Sequence, residues 1–158
     1  MKKNNHFDNN GNAQMIDISN KEITARKAIA AGKIKVSQEV IEIIESKSNK
    51  KGDVLGVARI AGIQAAKRTA DIIPLAHQLN ISKIKITFAL DQENTSILCN
   101  AEVVCTGKTG VEIEALHAVQ ISLLTIYDMC KYLHRGMEIS DIHLISKEGG
   151  KSGSYLFK

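Results

Sequence analysis

Ile84-Lys85-Ile86-Thr87-Phe88-Ala89-Leu90 alternates with the period of a strand, Asp91-Gln92-Glu93-Asn94 supplies a turn, and residues 96–105 return with β-branched side chains. Together they predict a β-hairpin. Downstream, residues 111–133 predict a helix too apolar all round between 115 and 126 to lie on a surface. Its charges sit at its ends. Glu112 and Glu114 fall in the first turn, where the macrodipole favours acids, and Asp128 and Lys131 lie three apart near its close. Charges on a buried helix need partners, and a ligand can be one of them. Residues 139–146 give a last strand before Glu148-Gly149-Gly150-Lys151-Ser152-Gly153.

Upstream of the hairpin, Gly56, Ala58, Ala61, Gly62, Ala65 and Ala66 recur at helical spacing within residues 54–73, which predicts a helix against which another backbone packs closely. Pro74 ends it. Ser37 stands where an N-cap belongs, and Val40, Ile41, Ile43 and Ile44 make the apolar stripe of a helix running to about residue 46. Residues 15–19 alternate weakly, and residues 24–36 carry short apolar side chains interrupted at Gly32, so both read as extended. The Asn-rich residues 1–12 hold too little apolar surface to repay ordering and read as a flexible tail.

The order is then strand, helix, helix, strand, strand, helix, strand. This is an α+β, ferredoxin-like split βαβ pattern: a four-stranded antiparallel sheet, helices on one face, and an extra helix in the first crossover. Residues 13–158 form one domain, with a mobile Gly/Lys/Ser segment from about 148, as suits a chain of 158 residues. The second sheet face and the Gly/Ala-rich helix need cover that so short a chain lacks, which predicts an oligomer with sites between subunits.

The net charge of +4 comes from 21 Lys and Arg dispersed among 17 Asp and Glu, too mild for nucleic acid but suited to an anionic small substrate. Trp is absent and aromatics are few, so no base-stacking platform is expected. Cys99, Cys105 and Cys130 lack CxxC spacing and read as reduced core residues of a cytoplasmic protein. No His or Cys spacing supports a metal site, and no apolar run suggests a membrane span or signal core.

Gly107-Lys108-Thr109 invites comparison with a nucleotide-binding phosphate loop, but Glu102 stands where that loop needs its first glycine, and Gly110 delays the helix. A strand-to-helix turn whose amides meet an anion fits better. Gly149-Gly150-Lys151-Ser152-Gly153 reads either as an anion-binding tail or as an unstructured end. Lys51-Gly52-Asp53 alone reads as a solvated turn, Lys67-Arg68 as an exposed helix face, and Asp128 with Lys131 as an intrahelical salt bridge.

Taken jointly these segments say more. Lys51-Gly52-Asp53-Val54, residues 58–69, Asp71-Ile72-Ile73-Pro74-Leu75-Ala76-His77, residues 106–116, Tyr127-Asp128-Met129-Cys130-Lys131 and residues 149–153 occur in order in one chain. Over residues 15–153 the sequence resembles the cyclic pyranopterin monophosphate synthase family of molybdenum cofactor biosynthesis. The resemblance implies a cytoplasmic phosphorus-oxygen lyase, assembled as a hexamer of three dimers, with its active site at a subunit interface. Its reaction would convert 3′,8-cyclo-7,8-dihydroguanosine 5′-triphosphate, supplied by the radical GTP 3′,8-cyclase, into cyclic pyranopterin monophosphate and pyrophosphate. It further implies Asp128 as the active-site acid and Lys51 and Lys131 as proton-transfer lysines. Leu75, Ala76, His77, Ile113 and Glu114 would bind substrate, with Glu112, Lys67, Arg26 and Lys147 nearby. No cofactor is implied, and a divalent ion carried by the triphosphate is left open.

Three positions depart from the family. Leu75-Ala76-His77-Gln78 replaces its usual Leu-Cys-His-Pro, and Ile113 its usual Met, which predicts altered affinity more than lost chemistry. Ala76 and Gln78 keep alive a competing reading, a non-catalytic nucleotide-binding ferredoxin-like module. The residue types suit the reaction: lysines can move protons and hold departing pyrophosphate, and a carboxylate such as Asp128 can orient an amine. Residue type does not say which lysine is acid; the assignment adopted is Lys51 as general acid and Lys131 as general base. Glu112 and Glu114 lie roughly 20 Å along the helix from Asp128 and Lys131, so either the substrate lies along the helix or a neighbouring subunit completes the site.

Overall fold

The computed structural model describes residues 6–151 and 153–158. The elements run β1 (Thr24–Lys35), α1 (Gln38–Glu45), α2 (Val54–Lys67), α3 (Thr69–Ile72), β2 (Ile81–Asp91), β3 (Ser96–Gly107), α4 (Glu112–Cys130), β4 (Glu138–Glu148) and β5 (Tyr155–Leu156). The sheet is antiparallel throughout, in the order β2-β3-β1-β4-β5. Its first four strands carry the ferredoxin-like arrangement expected from the sequence. The expected four-stranded sheet has a fifth member, because the chain turns back after Glu148 and pairs Tyr155 with Lys147 and Leu156 with Ser146. Two residues at an edge carry too little alternation to be read as a strand in advance.

Period-two burial aligns the core. Ala28, Ala30 and Ile34 of β1 and Ile97, Cys99, Ala101, Val103 and Cys105 of β3 point to the helical layer and are all fully buried. The three cysteines are free and buried, as expected. β1 runs unbroken through Gly32, against the interruption expected there; the irregularities are instead register shifts against β4, between Ile29 and Ala30 and between Ala31 and Lys33. A Cβ at Gly32 would approach Val119 Cγ1 and Ile142 Cγ1 at 2.9 Å, so the missing side chain admits α4 onto the sheet. Gly62 does the same between helices. A Cβ there would run into the Ser122 hydroxyl and lie 2.9 Å from the Ala118 carbonyl, which accounts for the Gly/Ala pattern of α2 packed against α4.

Capping fixes two helix starts. Ser37 accepts from the Val40 amide, as the sequence predicts, and Asp53 accepts from Gly56 at 2.9 Å. The single helix expected over residues 54–73 divides at Arg68. The cause lies in Thr69, whose buried hydroxyl reaches back to the carbonyls of Ala65 and Ala66, both at 3.2 Å. Residues 15–19 form no strand, because no neighbouring strand pairs with them. Of the tail expected over residues 1–12, residues 1–5 lie outside the described residues. The remainder makes an Asp8-centred turn, with Asn10 and Asn12 amides donating to the carboxylate at 2.8 Å. In the segment expected to be mobile from about 148, Ser152 likewise lies outside the described residues.

The opposite sheet face carries charge instead of helices. Lys83, Glu102, Lys27 and Glu148 form a chain of ion pairs across β2, β3, β1 and β4, tightest between Lys83 and Glu102 at 2.7 Å. No described helix is long and apolar enough to cross a membrane.

Candidate active site

The ends of β1, β3 and β4 converge on the start of α4. Register places Ala28 opposite Lys147, so Lys147 shares the helix-covered face with Ala28 and Arg26. Lys147 Nζ then meets Glu112 Oε1 at 2.8 Å, both side chains about three-quarters buried. The Arg26 guanidinium ties two strand ends together, donating from Nε to the Gly107 carbonyl at 3.3 Å and from Nη1 to the Gly149 carbonyl at 3.4 Å. Glycine is required where the chain turns. Gly149 and Gly150 have φ of +95° and +78°, and a Cβ would strike the Ala25 carbonyl at the first and the Arg26 guanidinium at the second.

These residues enclose a cavity of about 670 Å³. Lys21, Arg26, Lys27, Lys108, Lys147 and Lys151 line it against Glu22, Glu112 and Glu148, a cationic surplus that favours a polyanion. Thr109 and Gly110 complete the wall between β3 and α4, so the motif that resembles a phosphate loop does border an anion-attracting space, without a phosphate loop's architecture. Glu114 is 4 % exposed, and burial pushes its carboxyl above the usual range, with the neighbouring Glu112 charge adding to the rise.

At the other end of α4 a second group forms. Asn49, buried, accepts from the Lys51 amide at 2.7 Å and donates towards Cys130 Sγ at 3.8 Å, which pins the loop before α2 onto α4. Lys51 Nζ thereby donates to the Asp128 carbonyl at 2.9 Å, while Lys131 Nζ donates to Asp128 Oδ1 at 2.7 Å. The Lys131 hydrogen bond, then the charges of Lys131 and Lys51, hold the Asp128 carboxyl below its ordinary value. Burial pushes the Cys130 thiol up to about 11, leaving it an inert packing group. The Asp128 and Lys131 side chains themselves are exposed.

The loop after α3 carries Leu75, Ala76 and His77, all half-buried. His77 Nε2 lies 2.7 Å from the Ile16 carbonyl, so that nitrogen holds the proton and donates. Lys108 Nζ similarly donates to the Ser19 carbonyl, and residues 16–19 are thus strapped to two candidate binding elements. The Pro74 turn is closed by the Ala76 amide donating to the Ile73 carbonyl at 3.0 Å.

The candidate residues therefore form separate groups. Arg26, Glu112 and Lys147 meet in the cavity; Lys51, Asp128 and Lys131 meet sixteen residues further along α4, about 24 Å away at 1.5 Å per residue. Ile113 is exposed beside the buried Glu114, and Lys67 is exposed at the end of α2, away from the cavity wall. Sequence reasoning did not single out Lys21, Lys27, Glu22 or the Thr69–His117 hydrogen bond of 3.1 Å. Alternation along β1 sends Lys27 to the face opposite Arg26, and Lys21 sits in a stretch without periodicity, so neither carried a signal. Among the described residues, no three His, Cys, Asp or Glu side chains gather as a metal would require.

Comparison with known proteins agrees with the resemblance. A model of the MoaC family matches residues 15–150. The chain is 54% identical over 152 residues to the cyclic pyranopterin monophosphate synthase of Clostridium botulinum (strain Alaska E43 / Type E3), covering 96% of each chain. It is 53% identical, with the same coverage, to the cyclic pyranopterin monophosphate synthase of Clostridium perfringens (strain SM101 / Type A).

Proposed function

The chain belongs to the MoaC family, and we propose on that premise that it is an enzyme forming cyclic pyranopterin monophosphate in molybdenum cofactor biosynthesis. In this reading it acts in the cytoplasm as a phosphorus-oxygen lyase on 3′,8-cyclo-7,8-dihydroguanosine 5′-triphosphate received from the radical GTP 3′,8-cyclase, and releases pyrophosphate. The observation that carries the substrate class is the cavity at the start of α4, whose cations outnumber its carboxylates two to one. Arg26 and Lys147, with Lys21 and Lys108, take the triphosphate end; negative charge that develops as pyrophosphate leaves is met by fixed cations instead of water. Glu112 holds Lys147 until the anion arrives.

Proton transfer falls to the other end of the helix. Lys51 is assigned as general acid and Lys131 as general base, with Asp128 orienting the Lys131 ammonium through their 2.7 Å bond. His77, Leu75, Ala76, Ile113, Glu114 and Lys67 surround the base and sugar. A span of about 24 Å exceeds what one small nucleotide bridges, so the Lys51 group of one copy serves the cavity of another. Exposed Val57 and Ile60 on α2 and Leu124 on α4 support association of copies, with a hexamer of three dimers as the assembly.

Incubating the purified protein with the cyclised GTP intermediate tests the reading. Pyrophosphate and cyclic pyranopterin monophosphate are expected in equal amounts. Binding without release would replace the enzyme with a nucleotide-binding module.

A further inference from the structure

The cavity wall formed by residues 147–151 lies between β4 and the strand β5 that pairs back on it. β4 enters the cavity at Lys147 and Glu148, turns at Gly149 and Gly150, and comes back as β5, where Tyr155 pairs with Lys147 itself. Two residues of ladder are too few to hold a strand. Phe157, just beyond β5, supplies the remaining hold. Its amide donates to the Ile145 carbonyl at 2.8 Å, and its ring lies on His143 with centroids 4.5 Å apart at 43°. His143 is itself fixed by a 2.6 Å bond between Nδ1 and the Asp141 carbonyl.

We propose that Phe157, docked on His143, latches β5 against β4 and so positions Lys147 and the Gly149-Gly150 turn as the anion-binding wall of the cavity. Phe157 touches no cavity atom and is a positioning residue. The latch acts on two cations together. β1 holds Lys147 from one side and β5 braces it from the other, while the glycine turn beyond it reaches Arg26 through the Gly149 carbonyl that the guanidinium donates to. Release of the latch lets the glycine turn swing away from Ala25 and Arg26, so the anion loses part of its wall while Lys51, Asp128 and Lys131, at the far end of α4, keep their arrangement. Binding of the phosphate end therefore weakens and the proton-transfer step does not.

This inference rests on the proposed function of the cavity, and the test separates the two. The parent, Phe157→Ala, Phe157→Tyr and a chain ending at Gly153 are titrated with inorganic pyrophosphate by calorimetry. They are also assayed for KM and kcat on the cyclised triphosphate, and amide hydrogen exchange is followed at residue 157 where it is present. Phe157→Ala and the shortened chain are expected to bind pyrophosphate about three- to tenfold more weakly, the loss typical of one aromatic contact. KM rises in step while kcat stays within about twofold. Amide 157 loses protection in Phe157→Ala, and Phe157→Tyr, which keeps the ring, behaves as the parent. Unchanged pyrophosphate affinity in both Phe157→Ala and the shortened chain overturns the latch, as does a fall in kcat with affinity intact. Failure of the parent itself to bind pyrophosphate overturns the anion cavity, and the latch with it.

Discussion

The two ends of α4 hold comparable charges in opposite settings. At its start, Glu112, Lys147 and Arg26 are tied down by strand ends and by glycines whose missing side chains leave room for a guanidinium and a carboxylate. At its close, Asp128 and Lys131 stand exposed on the last turn, with only Lys51 brought to them by Asn49. The first is a cation-rich cavity wall completed within one chain. The second is a set of charged groups presented outward, which is the form that the proposed proton-transfer cluster would take if another copy brings the substrate.

Removing the outward cluster gives the largest expected effect. Lys51→Ala or Lys131→Ala should each lower kcat by about 10²- to 10⁴-fold, the usual worth of a positioned acid or base, with the oligomer unchanged. Pyrophosphate release reads the rate and sedimentation the assembly; a near-parental rate in either variant breaks the role assignment. Arg26→Ala comes next, raising KM by about ten- to a hundredfold through the loss of charge-assisted hydrogen bonds.

Mixing these variants sharpens the contrast. If each site takes its cavity from one copy and its lysines from another, subunits of Lys51→Ala and Arg26→Ala, each slow when assayed separately at substrate well below the parental KM, should regain about a quarter of the parental rate there after unfolding and refolding together, as expected for random two-fold pairing. No recovery would place both ends of α4 in the service of one chain's own site.

Smaller effects concern stability. Burial raises the Glu114 carboxyl, so the native state holds its proton more tightly than the unfolded chain does. That contribution is full below the ordinary value of 4.5 and is lost as pH rises through the higher folded value. Glu114→Gln should therefore melt above the parent at neutral pH and together with it below pH 4.5; equal melting at both would show that Glu114 carries no such penalty. Asp128→Asn should leave the melting temperature almost unmoved, because the Lys131 pair is exposed and screened. A loss of turnover far exceeding any loss of stability would mark Asp128 as a group kept for chemistry.

Much of this was legible in the chain. The hairpin over β2 and β3 declares itself by period, the Ser37 cap and the stripe of α1 by composition, and α4 by a long apolar run flanked by charge. Local chemistry sets those features, and each is written within a few consecutive residues. The division of α2 from α3 was hidden because Thr69 chooses its carbonyl partners only where His117 of α4 lies against it. The strap of residues 16–19 and the strand β5 were hidden for the same kind of reason: each gains its hydrogen bonds from a distant segment, His77 and Lys108 for one and β4 for the other.

By itself, then, the sequence determined the order of strands and helices, the reduced core cysteines and the residues that resemble one family of enzymes, all of them local or written in the side chains. The tertiary structure alone decided which charges meet. Strand register carried Lys147 to Glu112 across 35 positions, a loop carried Lys51 to Asp128 across 77, and the rigid length of α4 kept those two groups apart. Charge attraction acts through space over a few ångströms, and only the folded chain fixes those distances.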